Sequence, residues 1–182
     1  MSSPESNPKR YKGKYVAAGL GIGVAIAIII ILLGLFGGKQ GQTNTVEQII
    51  VTNVHSWVSA SNSTSAFAIE NIGSKTVTVT DIKLRGIAVP IANWYFCKGA
   101  CATQSNIETS LPVDFSPATV TIGEKPYAMT NNEEVSLSKG EAAIVYMFNA
   151  GNTASVDEGN VYELQIQTGL AKAVVHVQVV KG

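Results

Sequence analysis

The chain has 182 residues, of which 46% are apolar and only 14% are charged. This length suits one ordinary domain and is too short for two. The apolar fraction excludes disorder throughout the chain, because such a sequence can bury enough surface to fold. With only two cysteines, the chain is neither a disulfide-dense miniprotein nor the holder of a four-cysteine zinc site.

The 13 basic and 13 acidic residues balance overall but are distributed unevenly. Residues 1–42 contain five basic residues and one acidic residue, whereas residues 43–182 contain eight basic and twelve acidic residues. Nucleic-acid binding depends on clustered lysine and arginine that neutralise phosphates. The acidic balance of the larger part therefore argues against a nucleic-acid partner.

Residues 16–36 form an apolar segment of 21 residues without a charge. A helix of this length crosses a hydrocarbon layer of about 30 Å. Four basic residues precede the segment within residues 1–15, and only Lys39 follows closely. The positive-inside rule therefore makes residues 1–15 a cytoplasmic tail of a single-pass cell-membrane protein and places the rest outside the cell. The glycine-rich residues 37–44 predict a flexible stalk.

A cleaved secretory signal is the alternative interpretation of basic residues followed by an apolar stretch. The apolar run exceeds the length of about 7–15 residues that is usual for such signals. Residues 34–38 read GLFGG and contain no A-x-A-like cleavage site. The sequence therefore favours a retained anchor.

Two glycine pairs in and after the apolar segment have the spacing G-x-x-x-G: Gly19 with Gly23, and Gly34 with Gly38. This spacing lets two helix backbones approach closely in lipid. It predicts helix packing and a homo-oligomer. The alternative is that these glycines reflect only the high frequency of glycine in membrane helices.

The sequence from residue 45 to residue 182 consists of short β-branched runs separated by turn residues. Alternation of apolar and polar residues and the turn signals between runs predict about eight strands. These are residues 46–54, 65–70, 76–85 with a bulge at Asp81, 87–95, 118–122, 141–148, 162–167 and 173–180. With no amphipathic helix among them, they predict an all-β extracytoplasmic domain, an antiparallel immunoglobulin-like β-sandwich.

Two apolar runs have an ambiguous pattern. Residues 141–148 are apolar at both odd and even positions. Such a strand is either central and covered on both faces or exposes one face, with Ile144 and Tyr146, to a partner. The aromatic residues Trp94, Tyr95 and Phe96 are likewise either core residues or an exposed contact.

The sequence resembles a known group of envelope proteins. After the basic tail and apolar helix come VEQIIVTNV (residues 46–54) and FAIENIGSKTVTV (residues 67–79), then LSKGEA (residues 137–142) and two closing strands. This order resembles archaeal type IV pilin-like proteins: pilins, archaellins and the archaellum accessory proteins FlaF and FlaG. The pilin processing site has an uncharged residue after its glycine, whereas Gly13 is followed here by Lys14.

The charged Lys14 favours an uncleaved accessory protein over a filament subunit. For such a protein, the resemblance implies that the outer domain binds the surface-layer lattice or the filament. The alternatives are a pilin-like or archaellin-like filament subunit, and a structural subunit of a virus or membrane complex.

Cys97 and Cys101 flank a short loop. An oxidising exterior favours a disulfide between them. The spacing C-x-x-x-C also resembles the copper loop of cytochrome oxidase subunit II, but residues 102–107 contain no histidine or methionine ligand. We therefore expect no metal and no cofactor, and a membrane-tethered electron carrier is the least favoured class.

No G-x-S-x-G, G-x-x-x-x-G-K or H-E-x-x-H motif is present, so the sequence offers no catalytic residues and predicts a non-enzyme. His55 and His176 are expected to have surface or packing roles, and Asp157 and Glu158 to be solvated loop charges. Asn62 begins a glycosylation sequon in a polar loop.

The anchor predicts that the mature protein keeps its N-terminus. Intact-mass measurement of the membrane-extracted chain should show a polypeptide beginning at residue 1 or 2. A chain beginning near residue 39 would refute the anchor, and one beginning at Lys14 would favour the filament subunit.

Overall fold

The computed structural model describes residues 46–59, 62–113 and 116–182. The predicted tail (1–15), membrane helix (16–36) and stalk (37–44) all lie outside these ranges, and so do the four glycines of the G-x-x-x-G pairs. Among the described residues, no helix has the length and apolar character needed to cross a membrane.

The described residues form thirteen strands and few helical turns, so the prediction of an all-β domain is confirmed. The strands are β1 (Ile49–Val58), β2 (Ser63–Asn71), β3 (Val77–Val79), β4 (Asp81–Leu84), β5 (Ile87–Ala88), β6 (Trp94–Lys98), β7 (Thr119–Ile122), β8 (Lys125–Ala128), β9 (Thr130–Asn131), β10 (Val135–Leu137), β11 (Ala142–Phe148), β12 (Val161–Gln167) and β13 (Lys172–Lys181). The helices are the α-helix α1 (Gln104–Glu108) and the 3₁₀ turns Ile91–Asn93, Gly99–Cys101, Ala150–Asn152 and Ser155–Asp157.

Nine strands belong to one sheet, in the order β5-β4-β12-β13-β1-β2-β11-β6-β9. The pairs β3–β10 and β7–β8 form two small separate sheets. Most pairs are antiparallel, but Ser56–Val58 of β1 pair in parallel with Val179–Lys181 of β13. The predicted antiparallel arrangement therefore holds for every strand pair of the described residues except this one. Strands β1 and β13 run in the same direction. Their pairing at residues 56–58 and 179–181 joins the two halves of the sheet.

The two halves of this sheet pack against each other around one main core. Buried residues from β4, β12 and β13 lie in the same cluster as buried residues from β1, β2, β6 and β11. In β13, alternate residues are buried as predicted: Ala173, Val175, Val177 and Val179. Period-two alternation therefore identified the inward face of the closing strand.

The run predicted as one strand over residues 76–85 is divided at Thr80. Residues before it form β3, which pairs with β10, and residues after it form β4, which pairs with β12. The Thr80 N–H donates to the Gln167 carbonyl at 2.9 Å where the chain changes partner. The four predicted core residues of this run are nevertheless buried: Val77, Val79, Ile82 and Leu84.

Strand β11 is central and apolar on both faces. Its residues Ala143, Val145 and Met147 belong to the main core. Ile144 and Tyr146, on the opposite face, belong to a second buried cluster. The interpretation of residues 141–148 as a central strand is therefore confirmed.

Residues 99–129, here called the cover segment, supply the outer half of this second cluster. Apolar residues of the segment pack over the face formed by β2, β6 and β11: Cys101, Ala102, Ile107, Leu111, Val120 and Ile122. Of the five strands beyond the predicted eight, the division of residues 76–85 and of residues 87–95 accounts for two, and β9 and β10 account for two more. The segment contains α1, β7 and β8, of which β7 was predicted and β8 was not. Its short elements carry little periodic signal in sequence.

The first described residues join the domain through the turn that follows β2. The Ile72 and Gly73 N–H groups both donate to the Gln48 carbonyl, and the Ser74 N–H donates to the Val46 carbonyl at 3.0 Å. A Cβ atom at Gly73 would clash with the Val46 carbonyl oxygen and lie 2.7 Å from the Gln48 nitrogen. Only glycine allows the two backbones to approach this closely.

We therefore expect Gly73→Ala to lower the free energy of unfolding by about 1–3 kcal/mol, because both clashing atoms are backbone. Chemical denaturation of the detergent-solubilised full chain measures this change. The exposed residue Thr76 provides the control, because Thr76→Ala should change stability by less than about 0.5 kcal/mol. Equal effects of the two substitutions would contradict the close approach.

Candidate functional site

Four of the five residues predicted as candidate contacts lie inside the domain. Trp94 is 1% exposed and its ring N–H donates to the Val89 carbonyl at 2.9 Å. Phe96 lies in the same main core, and Ile144 and Tyr146 are fully buried under the cover segment. These side chains stabilise the fold and offer no surface to a partner.

Tyr95 is the fifth of these residues and is only half-buried. Its ring meets the Phe148 ring edge to face, with centroids 5.5 Å apart. Successive residues of β6 point to opposite faces of the sheet. Trp94 and Phe96 point to the inner face and belong to the main core, so the core interpretation of the aromatic run holds for these two residues.

The predicted disulfide between Cys97 and Cys101 is present, and their Cα atoms lie 6.2 Å apart. It joins the end of β6 to the beginning of the cover segment. The Asn106 side-chain amide donates to the Cys101 carbonyl at 2.9 Å and so connects this loop to α1. The bond leaves neither sulfur as a thiolate for copper.

A hydrogen bond from Tyr146 holds the middle of the cover segment in place. Its hydroxyl donates to the Pro112 carbonyl at 2.8 Å. Burial raises the pKa of this phenol, so it remains neutral and able to donate. Of the two interpretations of the strand that contains this residue, central burial holds, and the hydroxyl contacts its own chain.

A bulge in β1 places His55 in a packing role, as expected. The register shifts between Thr52 and His55, and Asn53 there has a positive φ of 53°. The His55 ring stacks on the Trp57 ring with centroids 5.1 Å apart, and its Nε2 lies 2.7 Å from the Asn53 Oδ1. Partial burial lowers the pKa of His55. No group of three metal-ligating side chains occurs among the described residues.

Asn62, the candidate glycosylation site, is exposed at the turn between β1 and β2. Its backbone carbonyl accepts from the Ser59 N–H at 2.9 Å. Its side-chain oxygen also accepts from the Ser59 hydroxyl. The site is accessible to a modifying enzyme, and glycosylation itself remains a prediction.

An ionic and aromatic cluster was missed by the sequence analysis. Asp157 is 8% exposed, and its carboxylate accepts from the Tyr162 hydroxyl at 2.6 Å, the Ala154 N–H at 2.9 Å and Arg85 at 3.2 Å. The Arg85 guanidinium also lies 4.8 Å from the centre of the Tyr162 ring. The expectation that Asp157 is a solvated loop charge is wrong, because this loop folds back onto β12.

Three exposed valines lie at this end of the domain, and we call them the valine surface: Val156, Val161 and Val180 are 84%, 59% and 40% exposed. Val156 precedes Asp157, and Val161 precedes Tyr162. Val161 pairs with Gln178 across β12 and β13, two residues from Val180. Val156 lies in the turn that contains Asp157, whereas Val161 and Val180 lie in β12 and β13. Exposed apolar side chains at one end of a domain form a candidate contact surface.

A second polar contact lies at the other end of β12. The Glu47 carboxylate accepts from the Thr168 hydroxyl at 2.9 Å and from the Leu170 N–H at 2.7 Å. It connects the first described residues to the turn between β12 and β13. The entry of the chain and the valine surface therefore lie at opposite ends of one strand.

The comparisons with known proteins give no family for this chain: no protein-family model matches it, and no curated protein matches it. The resemblance to archaeal pilin-like proteins therefore remains a prediction from the sequence.

The Asp157 contacts predict a pH-dependent stability. Hydrogen bonds from Tyr162 and from the Ala154 N–H, together with the Arg85 charge, lower the pKa of Asp157 in the folded state. Its stabilising contribution should be complete above the unfolded value of about 4 and disappear as the pH falls through the lower folded-state pKa. The difference in melting temperature between the native chain and Asp157→Asn should therefore shrink in strong acid.

Thermal unfolding followed by circular dichroism at neutral and strongly acidic pH measures this difference. The matched control is Glu158→Gln, which neutralises the adjacent exposed carboxylate and should leave the melting temperature nearly unchanged. A pH-independent difference for Asp157→Asn would contradict the assigned contacts.

Proposed function

We propose that this chain is a non-catalytic, single-span protein of the cell envelope whose outer domain, an immunoglobulin-like β-sandwich, binds protein partners through the valine surface. The anchor is the apolar segment 16–36, with the N-terminus in the cytoplasm. The observation that carries the proposal is the position of the valine surface, at the end of the domain remote from the entry of the chain.

Strand β12 sets the distance between these two ends. It runs from Val161, in the valine surface, to Gln167, next to the Thr168 hydroxyl that donates to Glu47. Seven residues of strand span about 20 Å. In an anchored protein, the valine surface would project away from the bilayer toward other envelope proteins.

Hydrogen bonds within the domain hold the loop that carries Val156. The Asp157 carboxylate accepts hydrogen bonds from Arg85, from the Ala154 N–H and from the Tyr162 hydroxyl. The Gly159 N–H donates to the Val179 carbonyl at 2.8 Å. A surface that is already ordered loses less conformational entropy on binding. The partner that suits it has an apolar patch, as interface cores generally do.

The resemblance to archaellum accessory proteins supports a surface-layer or filament protein as this partner. A pilin-like filament subunit is the second candidate, and the spacing of Gly19 and Gly23 supports it, because close helix packing builds a filament core. The filament proposal requires a processed N-terminus, whereas the accessory proposal requires an intact one.

The partner proposal is tested with the detergent-solubilised full chain as bait for purified surface-layer and filament proteins. We expect Val156→Asp to weaken capture at least about tenfold, because it places a charge in an apolar contact. Leu170→Asp makes the same chemical change at the opposite end and should leave capture unchanged. Capture of neither protein, or equal capture by both variants, would overturn the proposal.

A further inference from the structure

The entry end of the domain has an apolar surface of its own. Val46, Ile72 and Leu170 are 48%, 39% and 71% exposed. We call these three residues the proximal surface. They come from three separate parts of the chain: the first described residue and two turns that follow β2 and β12.

Backbone contacts hold these three parts at the same end. The Ile72 N–H donates to the Gln48 carbonyl at 3.0 Å, and the Leu170 N–H donates to the Glu47 carboxylate at 2.7 Å. Residues 46–48 therefore lie between the two turns. The exposed apolar side chains surround the point at which the chain enters the domain.

Three exposed lysines flank the proximal surface: Lys75, Lys139 and Lys172. Lys75 belongs to the turn after β2, and its carbonyl accepts from the Asn71 side chain. Lys139 precedes Gly140, whose N–H donates to the Asn71 carbonyl at 2.8 Å. Lys172 follows Leu170 by two residues. In the part of the chain that the structure describes, none of the three forms an ion pair.

Two of the four carboxylates at this end are in ion pairs, and a third accepts hydrogen bonds. Glu47 accepts the hydrogen bonds of the Thr168 and Leu170 donors. Asp81 pairs with Lys83 at 3.0 Å, and Glu141 pairs with Lys98 at 3.3 Å. A fourth carboxylate, that of Glu70, lies within the sheet on β2, opposite Ile50 and Ala142. Glu47 and Glu70 form no ion pair among the described residues, so the three lysines outnumber them and the unpaired groups next to the apolar residues carry a net positive charge.

The length of the connecting chain limits where this end can lie. Nine residues, 37–45, separate the predicted membrane helix from Val46. Fully extended, they span at most about 30 Å. They include Lys39, a further cation on the outer side. In an anchored protein, the proximal surface therefore lies within reach of the lipid headgroups.

We propose that the proximal surface rests on the outer face of the membrane, with its three apolar side chains at the headgroup boundary and the three lysines against anionic lipid headgroups. This inference rests on the anchor of the proposed function. Apolar side chains flanked by lysine are the combination that binds the interface of anionic bilayers. Contact at this end would orient the domain and direct the valine surface away from the membrane.

The experiment uses the full chain with Leu170→Cys, labelled with an environment-sensitive fluorophore and reconstituted into nanodiscs that contain a nitroxide-labelled lipid. The described part of the chain has no free cysteine, so the label attaches at residue 170 alone. The matched control carries Val156→Cys with the same label. One set of nanodiscs contains phosphatidylcholine alone, and the other also contains phosphatidylglycerol.

We expect the lipid nitroxide to quench the label at residue 170 severalfold more strongly than the label at residue 156. Quenching at residue 170 should increase with phosphatidylglycerol and decrease with added salt. Replacing Lys75, Lys139 and Lys172 together by glutamine should remove the phosphatidylglycerol dependence. Because these lysines are exposed, this variant should keep the fold, which circular dichroism checks.

Equal quenching at the two positions would overturn lipid contact. Shielding of residue 170 that depends on protein concentration without quenching would show that a second copy covers the surface, and would also overturn it. If the chain does not remain with the nanodiscs after washing, the anchor fails as well. The anchor stands if the chain remains embedded while residue 170 stays unquenched, so the two failures are distinguishable.

Discussion

The structure depends on the need to cover β11 on both faces. Alternate residues of this strand point in opposite directions, and five consecutive residues, Ala143 to Met147, are fully buried. Exposing either face would leave a continuous apolar surface in water. One face is covered by the opposite half of the folded sheet, and the other by the cover segment. The disulfide and the Tyr146 hydroxyl then hold that segment in place.

Several polar groups that become buried at the ends of the domain are hydrogen-bonded, which offsets the cost of their desolvation. Asn71 is fully buried, and its amide donates to the Lys75 and Leu137 carbonyls while its oxygen accepts from the Gly73 N–H. The carboxylates of Asp157 and Glu47 likewise accept hydrogen bonds from backbone N–H groups of other turns. These contacts determine the conformations of the loops that carry the valine and proximal surfaces.

The two proposals assign different chemistry to the two ends of the domain. The end at which the chain enters combines exposed apolar residues with unpaired lysines, which suits a lipid surface. The opposite end has one exposed valine in the turn that contains Asp157 and two in strands β12 and β13, which suits an apolar protein patch. An anchored domain needs both properties, because the contact that orients it must not occupy the surface that recognises its partner.

The sequence alone determined features that depend on neighbouring residues. Alternation identified the core residues of β4 and β13, continuous apolarity identified β11 as central, and close spacing identified the Cys97–Cys101 bond. Only the tertiary structure decided the division of the chain at Thr80, the parallel pairing of β1 with β13, and the burial of Trp94, Ile144 and Tyr146. It also brought Arg85 to Asp157 and Glu47 to Leu170. Each of these contacts joins residues far apart in sequence, and local periodicity carries no information about which distant segment will cover a given face.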